Sequence, residues 1–278
     1  MSDYEYKGLM AEAWDVLRGD TSRWADRFFY LEAVQKYGQP VLDIGCGTGR
    51  LLLDYLGQGI DVDGVDNSPE MLALCRVKAR ALGLEDHFDH LERLYEQPME
   101  ELRLPRAYRT ILIPSSSLQL VVDADHALQA VRRIYAHLEP GGALAASFMT
   151  LWAPGEPLES SSETSARRPA DGALFRRHSR SRYDPGSECE HTEDLYQVLI
   201  DGQVIAQEQH RRSPATRSYT QAQAQRLMEQ AGFAEVRLYH EFTWQPAAQG
   251  SGLFTVVAQK AGLSAQGAAG SRSGRMGK

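Results

Sequence analysis

The chain lacks any apolar run approaching the roughly 20 residues that a membrane-spanning helix needs. Its first residues, Met1-Ser2-Asp3-Tyr4-Glu5, lack the basic and apolar regions of a signal peptide. It has little cysteine: Cys46, Cys75 and Cys189, three in number, too few and too widely spaced for a disulfide framework or a zinc site. It has no surplus of positive charge. Thirty Lys and Arg stand against 37 Asp and Glu, a net of −7, which removes any global attraction to nucleic acid. His178, His191 and His210 fall on no shared metal-ligand spacing, so no metal site is expected. These absences point to a protein of the reducing cytoplasm that needs neither nucleic acid nor membrane as a partner.

What is present is enough apolar material, 42% of 278 residues, for one substantial core. The first half alternates strand and helix signals. Val41 to Ile44, Val62 to Val65, Thr110 to Ile113 and Ala143 to Phe148 are short apolar runs bounded by turn residues. Between them lie helical patterns. Leu51, Leu52, Tyr55 and Leu56 share one face. Ser68-Pro69 opens a helix with inner stripe Met71, Cys75, Ala79 and Leu82, closed by Gly83. Asp123 or Asp125 caps another carrying Leu128, Val131, Ile134, Tyr135 and Leu138, stopped at Pro140-Gly141-Gly142. Repeated strand–helix–strand units predict a parallel sheet with helices on both faces.

After Phe148 the pattern changes. Residues 151–172 read as a loop or lid rich in Ser, Pro, Glu and Arg. Strand-like segments follow near 174–183, 192–200 and 203–212, with Asp201-Gly202 as a hairpin turn. The helical pattern resumes at Thr220 and ends at Gly232, and Val236 to Phe242 and Leu253 to Ala258 read as closing strands. The expected division is a helical cap over 1–35, a core over 36–150, an antiparallel insertion over 151–218, a completion of the core sheet over 219–260, and a disordered Gly/Ser/Ala-rich tail over 261–278.

The first strand runs into Asp43-Ile44-Gly45-Cys46-Gly47-Thr48-Gly49-Arg50 and then a helix. Glycines there permit a sharp turn and close approach of a ligand to main-chain atoms. The spacing is not the dinucleotide G-x-G-x-x-G, because Gly49 comes one residue early and Arg50 stands in its place. Asp43 would repel a pyrophosphate but suits the amino group of an amino-acid moiety. Asp66 ends the second strand about 20 residues on, where a carboxylate can accept both ribose hydroxyl hydrogen bonds.

Val41-Leu42-Asp43-Ile44-Gly45-Cys46-Gly47-Thr48-Gly49 resembles the first signature of class I S-adenosylmethionine-dependent methyltransferases. Asp66-Asn67-Ser68-Pro69-Glu70-Met71 resembles the second, and Leu138-Glu139-Pro140-Gly141-Gly142 the landmark after the fourth strand. Order and separation agree over roughly residues 35–150. The resemblance implies a Rossmann-like α/β fold: a seven-stranded, mostly parallel sheet with helices on both faces, carrying the antiparallel β insertion after its fifth strand. It implies S-adenosyl-L-methionine as cofactor, Gly45 and Gly47 beneath its methionine part, Asp66 on the ribose and Met71 against the adenine. The third strand departs from the family pattern. In Tyr95-Glu96-Gln97-Pro98-Met99 a proline stands where an acid is usual, so Gln97 and the Met99 backbone are the expected adenine contacts. With Cys46, Asn67 and Pro114 these residues complete the expected cofactor set.

The fourth strand ends in Ile113-Pro114-Ser115-Ser116-Ser117-Leu118-Gln119, which the resemblance puts beside the methyl group. Ser116, Ser117 and Gln119 are the acceptor-side candidates, with Tyr6 from an N-terminal segment that also holds Tyr4, Trp14 and Trp24. The segment lacks the Asn-Pro-Pro-Tyr-type motif of DNA and glutamine methylation, which counts against those substrates. Serines in such a loop can equally serve only to cap it, and aromatics at this spacing can be plain core anchors. An arginine-rich insertion reads as a solvated face, or as a holder of an anionic acceptor through Arg217 and Tyr219. The expected reaction is methylation of nitrogen or oxygen on a small-molecule acceptor, with a homodimer admitted. The alternatives are an inactive cofactor-binding regulatory module and a nicotinamide-dependent oxidoreductase. Arg50 and Asp43 argue against the last.

Overall fold

The computed structural model describes residues 4–86 and 93–262; most of the expected tail lies outside them. Helices α1 (Gly8–Arg18) and α2 (Ala25–Tyr37) precede an alternating run: β1 (Val41–Ile44), α3 (Leu52–Gly57), β2 (Val62–Asp66), α4 (Pro69–Ala81), β3 (Leu94–Glu96), β4 (Tyr108–Ile113), α5 (Ala124–Ala136) and β5 (Leu138–Met149). Four strands follow, β6 (Glu159–Arg167), β7 (Leu174–Asp184), β8 (Cys189–Ile200) and β9 (Gln203–Arg217). Then come α6 (Gln221–Gln230), β10 (Glu235–His240) and β11 (Leu253–Gln259).

The first sheet, sheet A, has the order β10-β11-β5-β4-β1-β2-β3. Its pairs from β5 through β3 are parallel, and β11 runs antiparallel to both β5 and β10. Successive residues of one strand enter different cores. Leu42, Ile44, Ile111 and Ile113 pack with Val131 and Ile134 of α5 and Leu227 and Met228 of α6. Val41 and Leu112 pack with Phe29 and Val34 of α2, with Leu52, and with Leu72 and Cys75 of α4. Burial on both faces is why these strands read as unbroken apolar runs. The architecture is the expected Rossmann-like one, and the chain reverses its order at β1, between β2 and β4. That switch point is where open α/β sheets open a crevice at the carboxyl ends of their strands.

Sheet B is antiparallel, in the order β6-β7-β8-β9, inserted after β5. One face is apolar at Phe175, Tyr196 and Val198 and receives Leu9, Met10 and Ala13 of α1. Its β8–β9 hairpin turns at Asp201 and Gly202, both at positive φ (50° and 79°), as expected of that dipeptide.

Three local expectations are corrected. Leu138 is not on the helix with Val131 and Ile134, and Pro140-Gly141-Gly142 does not stop it: α5 ends at Ala136, and Leu138 opens β5, which runs through that triplet. Residues 159–167 are not loop but the edge strand β6, paired along its length with β7. Nearly every residue of β6 is exposed, so it shows no apolar alternation; only its partner makes it a strand. Leu82 is not in the inner stripe of α4. The helix ends at Ala81, and Leu82, its C-cap, is 62% exposed. The buried stripe is Met71, Leu72, Cys75 and Ala79. Ser68 caps α4 as expected, accepting the Met71 N–H, Asp123 caps α5, and Thr220 with Gln223 forms a full capping box on α6.

Candidate functional site

A cleft of about 860 Å³, counting its open mouth, lies at the carboxyl end of β1, within the usual size of small-molecule sites. Its floor is the glycine turn. Gly45, Gly47 and Gly49 all sit at positive φ (70°, 55° and 84°), where other residues are strained. Space forbids a side chain as well. A Cβ on Gly45 would stand 2.9 Å from Ser117 Oγ, and one on Gly49 would stand 2.6 Å from Cys75 Sγ. At Gly47 it would come within 3.2 Å of Met71 Cε, so the backbone there faces Met71 across the floor.

Asp66 closes one end. Its Oδ2 accepts the Gly47 N–H at 2.8 Å and its Oδ1 accepts the Ser68 N–H at 2.9 Å. The carboxylate thus fixes the turn after β1 to the start of α4. Burial raises its pKa, and the hydrogen bonds from Ser68, Gly47 and Asn67 oppose that. Asp43 lies beneath the turn at 1% exposure, and its Oδ1 has no hydrogen-bond partner. Burial pushes its pKa up to about 7, with Arg50 pulling the other way. Arg50 is itself committed to Asp26 through two hydrogen bonds, at 3.1 and 2.5 Å. An orphaned buried carboxylate oxygen facing a cleft is costly unless a ligand completes it.

The N-terminal segment roofs the cleft. Tyr4 donates to Glu100 Oε2 at 2.6 Å, and the Ser68 hydroxyl donates to the Tyr6 carbonyl. Glu70 accepts the Gly8 N–H, and Glu208 accepts the Leu9 N–H. Asp15 of α1 receives the Thr48 hydroxyl at 2.7 Å and Lys78 Nζ at 3.1 Å, tying the helix to the glycine turn. Tyr6 and Trp14 meet edge to face at 4.8 Å. Arg18 lies over the Trp14 ring at 3.9 Å and near Trp24 at 5.3 Å. It lines the cleft yet makes no ion pair with a described residue; burial, then the neighbouring Arg50, lowers its pKa.

All ten expected cofactor-side residues, Asp43, Gly45, Cys46, Gly47, Asp66, Asn67, Met71, Gln97, Met99 and Pro114, line this one cleft. Gln97 does so with its amide already engaged: Oε1 accepts the Arg103 N–H at 2.8 Å and Nε2 donates to the Arg103 carbonyl at 3.2 Å. Of the acceptor-side candidates, Tyr6 and Ser117 line the cleft. Ser116 and Gln119 are turned away. Ser116 is buried, with its N–H on Ser147 Oγ. Gln119 is consumed in joining β5 to β9: Oε1 takes the Met149 N–H, and Nε2 donates to the Met149 and Arg217 carbonyls. The cause is the single turn of 3-10 helix over Ser117–Leu120, entered through Ser115 and Ser116 at positive φ. The expected pair Arg217 and Tyr219 also lies elsewhere. Arg217 Nε donates to the Val122 carbonyl, and Tyr219 packs on Phe148 at 5.4 Å.

Arg18, Thr48, Ser115 and Leu120 line the cleft without having been expected. Arg18 had a legible signal: Trp14 and Arg18 are four residues apart and share one helix face. Ser115 and Leu120 had none, because the direction of a turn's side chains depends on its backbone.

Residues 41–142 match the family model described as a methyltransferase domain. A protein of Geobacillus sp. (strain WCH70) described by its name only as a methyltransferase is 30% identical over 135 residues, 47% of this chain and 52% of that one. The ubiquinone/menaquinone biosynthesis C-methyltransferase of Vibrio vulnificus is 32% identical over 133 residues, 47% of this chain and 48% of that one. The chain thus spans about half the length of these curated relatives. An S-adenosylmethionine-dependent methyltransferase from Clostridium acetobutylicum has the same fold over 90% of this chain and 97% of its own, with a TM-score of 0.70 at 16% identity. The matched residues contain the glycine turn, Asp66 and the strand ends that frame the cleft, and over them the chain is similar to a methyltransferase domain.

Proposed function

We propose that this protein transfers a methyl group from S-adenosyl-L-methionine to the nitrogen or oxygen of a small-molecule acceptor. The observation that carries the reading is the buried Asp43 carboxylate with its unpartnered Oδ1 under the glycine turn. That oxygen is suited to the ammonium of the cofactor's methionine part, and Arg18, uncommitted over Trp14, to its carboxylate. Asp66 would hold the ribose hydroxyls while keeping its two backbone bonds, Met71 and Met99 would enclose the adenine, and the Cys46, Asn67 and Pro114 positions complete the walls.

The cofactor supplies a carbon already activated by positive sulfur. The chain's own task is to align acceptor and methyl and to exclude water; such positioning can supply about 7–11 kcal/mol. Tyr6, Trp14 and Ser117 line the side from which an acceptor would approach. The rings of Tyr6 and Trp14 suit a sulfonium through cation–π attraction. An amine that enters deprotonated needs no base, whereas a hydroxyl needs one within hydrogen-bond reach.

The test is transfer of label from methyl-labelled cofactor to a small-metabolite extract. A labelled low-molecular-weight product is expected. Tight cofactor binding with no transfer to any fraction would reduce the protein to a binding module.

A further inference from the structure

Strand register sorts the polar residues of sheet B by face. In an antiparallel pair, residues directly opposite share a face. Thr192 stands opposite Arg212, Asp194 opposite His210, and Tyr196 opposite Glu208 and Arg177. Tyr196 belongs to the face that receives α1, so all of these side chains lie on the α1 side. The helix covers the apolar end of that face, at Phe175 and Val198. The polar end meets the segment before α1. Tyr6 packs against the same cluster, and the Arg212 guanidinium carbon lies 5.4 Å from the Tyr6 ring. Tyr6 also lines the cofactor cleft, so the polar end and the cleft share that residue.

Three polar groups on this face are open. Asp194 is fully buried. Its Oδ1 accepts Arg177 Nε at 2.9 Å and Nη2 at 2.8 Å, whereas its Oδ2 has no partner. Thr192, 5% exposed, has an unpartnered hydroxyl, and Arg212 Nε and Nη1 are buried without a partner. Their needs differ, because a carboxylate oxygen only accepts and a guanidinium N–H only donates. Charge on the face is already matched: Arg177 and Arg212 stand against Asp194 and Glu208, and Glu208 holds the Leu9 N–H and His210. An oxyanion would satisfy Arg212 and leave Asp194 open. An ammonium would do the reverse, and a flat apolar ring would satisfy neither. Neutral hydroxyls satisfy both, donating to Asp194 and accepting from Arg212. Thr192 and Asp194 are two residues apart on one strand, about 7 Å, a span that needs several hydroxyls rather than one.

We infer that this face reads the methyl acceptor, and that the acceptor is a neutral polyhydroxyl compound whose hydroxyls meet Asp194, Thr192 and Arg212 while its nucleophile passes Tyr6 toward the methyl group. The inference rests on the methyltransferase reading. Arg212 takes the acceptor-holding role expected of Arg217, and what it holds is not an anion.

Saturation-transfer NMR on the full chain loaded with S-adenosylhomocysteine, with methyl α-D-glucopyranoside, succinate and phenol as probes, tests the face directly. The glycoside is expected to bind in preference to the other two. Its affinity should weaken at least about tenfold in Arg212→Gln and about threefold in Thr192→Val, which keeps the side-chain shape. S-adenosylhomocysteine affinity should be unchanged in Thr192→Val, whose side chain lies outside the cleft. Preference for succinate or phenol, absence of binding by all three, or unweakened glycoside binding in both variants would overturn the inference. Failure of the wild type to bind S-adenosylhomocysteine would instead defeat the cofactor reading, and the same probes titrated without it would still judge the face. In the extract assay, a labelled product cleaved by periodate, which cuts vicinal diols, supports the inference. A product held by an anion exchanger, or one that periodate leaves intact, contradicts it.

Discussion

The two sheets solve burial differently. Sheet A is covered by helices on both faces, and alternate residues of each strand feed two separate cores. Sheet B takes α1 on one face, and its edge strand β6 lies almost wholly in solvent. The doubly covered sheet can hold an ionisable group such as Asp43 out of water with one oxygen open. The singly covered one buries Asp194 only as the ion-pair partner of Arg177. On the proposed reading, the first would fix a methyl donor in a narrow geometry and the second leaves polar surface open to solvent. The N-terminal segment bridges them, with Asp15 on the glycine turn and the Leu9 N–H on Glu208 of sheet B.

Substitutions should separate the two regions. The largest effect is expected from Gly49→Ala. At φ 84°, with Cys75 Sγ 2.6 Å and Leu53 Cγ 2.8 Å from the new Cβ, it should cost about 2–4 kcal/mol, seen in denaturant unfolding. Wild-type stability would show that the turn is not the rigid part of the comparison. Arg18→Gln comes next. Loss of its charge should weaken S-adenosylhomocysteine about tenfold while the melting temperature stays near that of wild type, because no described residue depends on Arg18 for an ion pair.

Asp43 gives a comparable effect through pH. Its folded pKa of about 7 lies above the ordinary 3.8. The folded state therefore binds the proton more tightly, so this group's contribution to stability is largest at low pH and is lost as pH rises from about 4 to 7. Cofactor binding runs the other way, since only the carboxylate attracts the ammonium. Affinity should rise about tenfold from pH 6 to pH 8, and Asp43→Asn should flatten that rise. A wild-type profile already flat would remove Asp43 from the site. The smallest effect belongs to the exposed edge of sheet B: Ser162→Ala in β6 should change stability by less than about 0.5 kcal/mol and leave cofactor affinity intact.

Legibility in the sequence followed the same division. β1, β2 and β4 were visible because burial on both faces demands apolar runs, and the caps Ser68, Asp123 and Thr220 because an orphan N–H at a helix start selects few residue types. β6 was invisible because a solvent-facing edge strand needs no apolar pattern. That the residues expected on the cofactor side line one cleft was legible because glycine and aspartate at fixed spacing answer local backbone demands. Of the residues expected on the acceptor side, only Tyr6 and Ser117 line the cleft. Ser116 and Gln119 have the same composition cues as Ser117, and it is the left-handed turn at Ser115 and Ser116 that decides which of them meets the cleft.

The central claim is that the Asp43–Asp66 cleft holds S-adenosylmethionine. Calorimetry of the wild type and Asp66→Ala with S-adenosylhomocysteine and with NAD tests it most directly. The account predicts one equivalent of S-adenosylhomocysteine bound by the wild type, at least about a hundredfold weaker binding in Asp66→Ala, and no binding of NAD by either. Binding of NAD in place of S-adenosylhomocysteine, or equal affinity in a folded Asp66→Ala, would contradict it.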